Sequence, residues 1–382
     1  MTPAQLSRTV LQTVRRAVEA DELRVAMLPE RVKVRTPPRA GCGDYATNVA
    51  LQLAQGLDGG GPAAALRVAE VLRRRLVGEP GIAGVEIAGP GFLNITVEAG
   101  GHAELVRGVL ERGEDYGRSD ALAGGPAVRL APGRDVRAAV VGAAVIRLVA
   151  FCGGEALVVG TRAAAGGEVP EGYPVPEGDS GEVLAVRPVE DGPRQVLAVP
   201  PVEDGPREVL PMRPVGVSAP ELLALLGTDA ARWALLRPAA HDLPDLEPRR
   251  LLAQRESNPL FRVRYAHARV RALVRNGQQL GVHSCPDGPY RHPAEVALIA
   301  TIADYPRLIE SAARHRAPDR LARHLEAVAD AFFRFHDACP PLPRGEEKPL
   351  AAHRSRLALA EAAGAVLAGG LHLLGISAPE HL

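Results

Sequence analysis

"SNPLFRVRYAHARVRALVRNG", residues 257–277, sets the reading of the second half of this chain. Asn258 followed by Pro259 predicts an N-cap and a first helical residue, because proline has no N–H to lose at that position. At about 100° per residue, Val263, Ala266, Val270, Leu273 and Val274 share one side, the face a helix buries. Arg262, Tyr265 and Arg269 line one flank of that stripe, and Arg264, Arg271 and Arg275 line the other. Asn276-Gly277 predicts the stop. Five arginines, a tyrosine and a histidine thus crowd one helix with almost nothing to neutralise them. Two readings stand side by side. One is a solvated face next to a core stripe. The other is a surface for phosphates, with Tyr265 placed to stack on a base.

Composition bounds what the rest can be. A chain of 382 residues suggests about two or three domains. At 46% hydrophobic it can fill cores, and at 3% aromatic those cores must be leucine, valine and alanine. The formal net charge is zero, so nucleic acid can be met only by local patches, not by a global field. The basic residues are 43 arginines and two lysines, Lys33 and Lys348. Cys42, Cys152, Cys285 and Cys339 are far apart and form no C-x-x-C pair. That pattern fits a reduced, cytoplasmic protein without a zinc site. No apolar run is read as approaching the length of a membrane span. Arg8, Arg15 and Arg16 sit in an amphipathic pattern, so the N-terminus reads as a helix and not a signal peptide.

Three segments differ in texture. Residues 1–125 mix helix and strand signals. "PAQLSRTVLQTVRRAVEA", "DYATNVALQLAQGL" and "PAAALRVAEVLRRRL" read as helices, and "GVEIAGPGFLNITV" as two strands around a Gly-Pro-Gly turn. Helices on one face of a small antiparallel sheet, an α+β domain, would satisfy this. Residues 126–215 open on a buried helix, "AAVVGAAVIRLVAF", and continue into a repeat of 13 residues starting at Glu182, Gln195 and Glu208. Each unit is a short apolar strand and a Pro/Asp/Gly turn, enough for a small meander or a stiff linker. Residues 216–382 hold helical periods throughout, including "APELLALLGTDAARWALLR", and predict an all-α bundle of about five helices.

These last residues resemble, in order, the anticodon-binding domain of arginyl-tRNA synthetases. "GTDAARWALLR" is similar to the segment that gives that domain its DALR name, with the four letters standing as Asp229, Ala230, Ala231 and Arg232. "SNPLFRVRYAHARVRALVR" is similar to the family's Asn-Pro…Tyr-Ala-His-Ala-Arg helix, and "GGLHLLGISAPEHL" to its C-terminus. "GDYATNVALQLA" and "GPGFLNI" resemble the additional N-terminal domain of the same family. The resemblance implies that the basic helix belongs to a tRNA-binding bundle. It makes Arg262, Arg264, Tyr265, His267, Arg269 and Arg271 the candidate tRNA contacts. The competing reading holds Tyr265, His267 and Arg269 inside the bundle, satisfying one another and nearby helix ends.

The middle departs from the family. The resemblance implies a Rossmann-like catalytic domain with a HIGH-type signature, whose two histidines hold nucleotide phosphates. It also implies a KMSKS-type loop, whose lysine stabilises the transferring phosphoryl charge. "RAAVVGAAVIRLVAFCGGEAL" resembles the helix after the first signature, but the preceding "VRLAPGRDV" has no histidine. No histidine lies between His102 and His241, and no lysine between Lys33 and Lys348. "REVLPMRPV" stands where the lysine loop is expected. The segment 126–215 therefore reads as a short mixed α/β remnant of a catalytic core. An arginine could replace one lysine charge, though as a delocalised fork and not a point charge.

Other constellations are weak. There is no G-x-x-x-x-G-K-[ST], G-x-G-x-x-G or H-E-x-x-H, so no cofactor and no metal is expected. His315, His324 and Asp319 are scattered on helices and do not read as ligands. Phe332, Phe333 and Phe335 read as core. Asp44 reads as a helix N-cap. The expected function is binding of tRNA or a tRNA-like partner without aminoacylation, with no catalytic residue assigned. A divergent active arginine–tRNA ligase is the alternative. A protein-interaction module is a third reading, pairing with a synthetase or a biosynthetic enzyme. From Gly216 onward 21 basic residues face 18 acidic ones, a small excess for a devoted RNA binder.

Overall fold

A computed structural model describes the chain apart from residues 1–2, 25–26, 30–31, 36, 38–41, 56–60, 98, 131–134, 159–182, 187–195, 200–209 and 211. Contacts group it into two compact units. The first is Met1–Glu111, Leu273–Asp304 and Ala331–Ala363, and the second is Arg112–Ala272, Tyr305–Asp330 and Gly364–Leu382.

In the N-terminal domain the order is α1 (Pro3–Glu19), β1 (Val34–Arg35), β2 (Tyr45–Thr47), α2 (Val49–Ala54), α3 (Pro62–Leu76), β3 (Ile82–Ala88), β4 (Phe92–Val97) and α4 (Ala99–Arg112). The four strands form one antiparallel sheet in the order β1-β2-β4-β3. Its core follows directly from periodicity. Leu6, Val10 and Val14 recur every four residues on α1, Val68, Leu72 and Leu76 do so on α3, and Leu93, Ile95 and Val97 alternate on β4; all are buried in one cluster. Gly91 turns β3 into β4 with φ 130°, and a Cβ there would lie 3.0 Å from that of Ala65 on α3. The expected α+β domain is present.

One element differs. "DYAT" is not helix but the strand β2, paired with β4. Asp44 therefore does not cap a helix. Its amide donates to the Ile95 carbonyl, and its carboxylate accepts the Val97 amide at 2.9 Å, which extends the ladder by one residue. The helix starts after Asn48, where the Thr47 hydroxyl accepts the Val49 amide. Local propensity gave way to a strand partner far away in sequence.

The middle segment contains β5 (Val128–Leu130), α5 (Val136–Phe151), β6 (Ala156–Val158), β7 (Val183–Val186) and β8 (Val196–Val199). They make a sheet of order β5-β6-β7-β8. β5 and β6 are parallel and joined by α5, a βαβ unit, whereas the remaining pairs are antiparallel. The strands β7 and β8 are the apolar stretches of the first two 13-residue repeats, in register Val183↔Val199 to Val186↔Val196. The turns of these repeats, and part of the third apolar stretch, lie outside the described residues.

From Ala219 onward every regular element among the described residues is helical: α6 (Ala219–Leu236), α7 (Pro248–Leu251), α8 (Pro259–Gln279), α9 (Pro293–Arg314), α10 (Pro318–Ala338) and α11 (Ala351–Leu374). This is the expected all-α bundle. α6 begins with a capping box of Ser218 and Glu221, and it breaks at Gly227, whose φ 71° and ψ 169° are not helical. α8 runs past the expected stop. Gly277 lies inside it because a Cβ there would meet Leu357 at 2.7 Å, and the turn comes at Gly281 with φ 67°. Phe332 and Phe335 are fully buried, as core residues should be, whereas Phe333 is only half-buried. The expectation that no apolar run nears a membrane span is corrected by α11, which is long and apolar enough to cross one, yet 83% of its apolar stretch is buried within the fold.

Candidate functional site

The basic helix α8 starts where its sequence predicts. The Asn258 side chain accepts the Leu260 amide at 3.1 Å and donates to the carbonyls of Leu251 and Ala253, so one residue caps α8 and ties it to the end of α7. Leu260, Val263, Ala266, Val270 and Leu273 are buried, and Val274 is half-buried at the edge of the stripe.

The two flanks have different surroundings. On the first, Arg262 forms an ion pair with Asp330 at 2.7 Å and lies 3.9 Å from Glu256. Tyr265 is 41% exposed, with its ring stacked on Phe261, centroids 5.6 Å apart and planes 6° from parallel. Arg269 is exposed, and none of the ion pairs recorded among the described residues involves it. This flank therefore presents a flat aromatic face beside a solvated cation.

The second flank is covered by the chain itself. α11 ends in a Schellman turn: Gly375, at φ 74°, donates to the His372 carbonyl, and Ile376 donates to the Leu371 carbonyl, both at 2.9 Å. The chain then runs along α8. Arg264 donates to the Ser377 hydroxyl at 3.3 Å and sits 3.7 Å from Asp229. His267 Nδ1 lies 2.9 Å from the Pro379 carbonyl, and Arg271 donates to Glu380 at 2.7 Å. Asp229 also accepts the Ser377 amide, and Arg232 donates to the Gly375 carbonyl. His267 is buried, and loss of solvent around it holds its pKa below the ordinary histidine value despite the Pro379 carbonyl. It is a packed, neutral group.

The six candidate contacts thus divide. Tyr265 and Arg269 face solvent, Arg262 and Arg271 are half-exposed in ion pairs, Arg264 is tied to Ser377, and His267 is enclosed. The reading that holds Tyr265, His267 and Arg269 together inside the bundle is met by His267 only. The partners Asp229, Asp330, Ser377 and Glu380 carried no signal in a helical wheel, because every one of them lies outside α8.

A second constellation was not visible in the sequence. At the N-terminus of α5, Asp135 accepts the Arg137 amide at 2.9 Å through Oδ1 and the Val215 amide at 3.0 Å through Oδ2. Arg137 itself is 1% exposed, and burial pulls its pKa below the ordinary guanidinium value. Its fork donates to the carbonyls of Arg213, Leu235, Pro238, Ala239, Ala240 and Asp242, at 2.8–3.4 Å. Those groups include the end of α6 and the turn after it, so the cation meets the negative end of a helix. Residues 131–134, the middle of the segment expected to hold the first nucleotide-binding signature, lie outside the described residues. Among the described residues no group of three or more His, Cys, Asp or Glu is arranged to hold a metal ion.

Comparison with known proteins completes the picture. Residues 4–97 match the arginyl tRNA synthetase N terminal domain, and residues 263–382 match the DALR anticodon binding domain. The arginine–tRNA ligase of Frankia alni is 29% identical over 565 aligned positions, covering 100% of both chains. That of Renibacterium salmoninarum is 29% identical over 559 positions, again covering 100% of both. The arginyl-tRNA synthetase of Thermus thermophilus superposes with a TM-score of 0.68 at 16% identity, covering 100% of each chain, a likeness of fold. The chain is thus similar from end to end to arginyl-tRNA synthetases, matching that family's N-terminal domain at one end and its DALR domain at the other.

Proposed function

We propose that this protein binds tRNA, in the cytoplasm, through α8 and the surfaces beside it, and that it does not aminoacylate. The DALR homology supports the first half, together with the exposed pair of Tyr265 and Arg269. A stacking ring next to a cation that can meet a phosphate suits single-stranded RNA. The second half is carried by one observation: the absence of histidine between His102 and His241 and of lysine between Lys33 and Lys348. Two further facts support it. The alignments with the ligases run over 565 and 559 positions, whereas this chain has 382 residues, so many aligned positions have no residue here. The N-terminus of α5, which follows a parallel strand, is a place where helix N–H groups favour an anion. Here Asp135 supplies that anion from the chain, and Arg137 is turned inward to carbonyls.

A second reading, a divergent active arginine–tRNA ligase, is favoured by the relatives. Proteins of that name align with the chain from end to end, and by homology alone this reading is the better supported. A single preparation separates the two. We expect arginine-dependent ATP–pyrophosphate exchange to stay at background while filter binding retains total tRNA, more strongly at low than at high salt. Exchange above background would overturn the non-catalytic reading. Absence of retention at low salt would overturn tRNA binding and leave a protein-interaction module.

A further inference from the structure

The covered flank of α8 carries an inference that rests on the tRNA-binding reading. After the Schellman turn at Gly375, Ile376 is 1% exposed and fixes the start of the segment 376–382. Beyond that anchor the segment is held by polar contacts, most of them at the surface, with the buried His267 among the partners. The Arg271–Glu380 pair is half-exposed on both sides, and Leu382 is exposed. Ion pairs of this kind contribute little, because water and salt compete for both charges. Yet the segment sits on three of the six groups that would face RNA: Arg264 through Ser377, His267 through Pro379, and Arg271 through Glu380. In each contact a chain oxygen holds the place a phosphate or base oxygen would take. At Arg271 that oxygen carries a negative charge.

We propose that residues 376–382 are a displaceable strap, anchored at Ile376, whose Glu380 carboxylate competes with the RNA backbone for Arg271. The strap lies on the other flank from the exposed Tyr265 and Arg269, and it withholds its own flank until a polyanion displaces it. A carboxylate is a weaker competitor than a phosphodiester chain, because the chain offers many charges in series and releases counterions as each is neutralised. The device therefore favours extended RNA over a single small anion.

The test is filter binding of total tRNA, at fixed low salt, to the intact chain and to Glu380→Gln, which keeps the shape and removes the charge. Removing the competitor should tighten binding about two- to fivefold, the factor expected for one exposed ion pair. The gain should vanish in an Arg271→Ala background, because the cation competed for is then absent. Saturating tRNA should also speed hydrogen exchange at the Ser377 amide, which in the free protein donates to Asp229. If tRNA binds both proteins equally well, or Ser377 stays protected in the complex, the strap is overturned while tRNA binding stands. If neither protein retains tRNA, the tRNA reading falls and the strap with it. Retention by Glu380→Gln but not by the unaltered chain would support the strap in its strongest form.

Discussion

Arg137 is the most consequential single residue outside α8. A guanidinium is a planar fork of five N–H donors, and here the buried fork meets six carbonyls. A lysine would keep the charge but has three donors on a compact head, so several buried carbonyls would be left unpaired. Arg137→Lys should lower stability by about 2 kcal/mol or more in urea melts, whereas Arg269→Ala should move it by no more than about 0.5 kcal/mol. Equal midpoints for the two variants would show that the carbonyls find other donors. At this scale the sequence is legible where a residue's fate depends on its neighbours. Val263, Ala266, Val270 and Leu273 are buried as their spacing requires. It is not legible where the partner is remote. His267 is enclosed by a carbonyl 112 residues away, and Arg137 is held by groups 76–105 residues away.

At the scale of elements, glycine marks the places where reading from propensity fails or succeeds. Gly227 stands in the middle of a strong helical pattern, and the backbone leaves the helix there. Gly277 looks like a stop, but it is small because Leu357 and the Val282 carbonyl approach it. Gly375 is required twice. Its φ of 74° is left-handed, and a Cβ would lie 2.7 Å from the Arg147 guanidinium, whose Nε donates to the Leu373 carbonyl. Gly375→Ala should therefore cost about 1–2 kcal/mol, more than its conformation alone, and should loosen the contacts of 376–382 with α8. Thermal melts together with hydrogen exchange at Ile376 and Ser377 would register both effects. A melt and exchange unchanged from the parent would contradict the role given to this turn. Strand β2 shows the other limit: three residues gain strand structure only from pairing with β4, a signal that no local window contains.

For the whole molecule, the three buried histidines with lowered pKa among the described residues, His102, His267 and His324, shape the response to acid. His324 stacks on Tyr305, its Nε2 has no hydrogen-bond partner among the described residues, and desolvation lowers its pKa to about 4. Burial also lowers His102 and His267. A histidine whose folded pKa lies below its unfolded value of 6.5 binds fewer protons when folded. Its contribution is complete above pH 6.5 and is lost as the pH falls toward 4. Between pH 7 and pH 5 His324 alone should remove roughly 2 kcal/mol. The carboxylates with lowered pKa are paired with exposed partners and titrate at lower pH, so they do not offset this loss. His324→Phe should flatten the profile of urea midpoints over that interval; a profile as steep as the parent's would assign the acid response elsewhere. At this scale the domain order was legible, because two motif-bearing regions lie at opposite ends of the chain. The arrangement of the middle was not, since repeats state their own similarity and nothing about their partners.

The burial of α11 bears on how the protein is made and lost. A helix apolar enough to cross a membrane is covered here by the structure around it. α11 follows the other described helices of the bundle in the chain, so they are already made when it emerges, and its apolar face is exposed only while the bundle is open. Unfolding at high concentration should therefore favour association of chains through this helix.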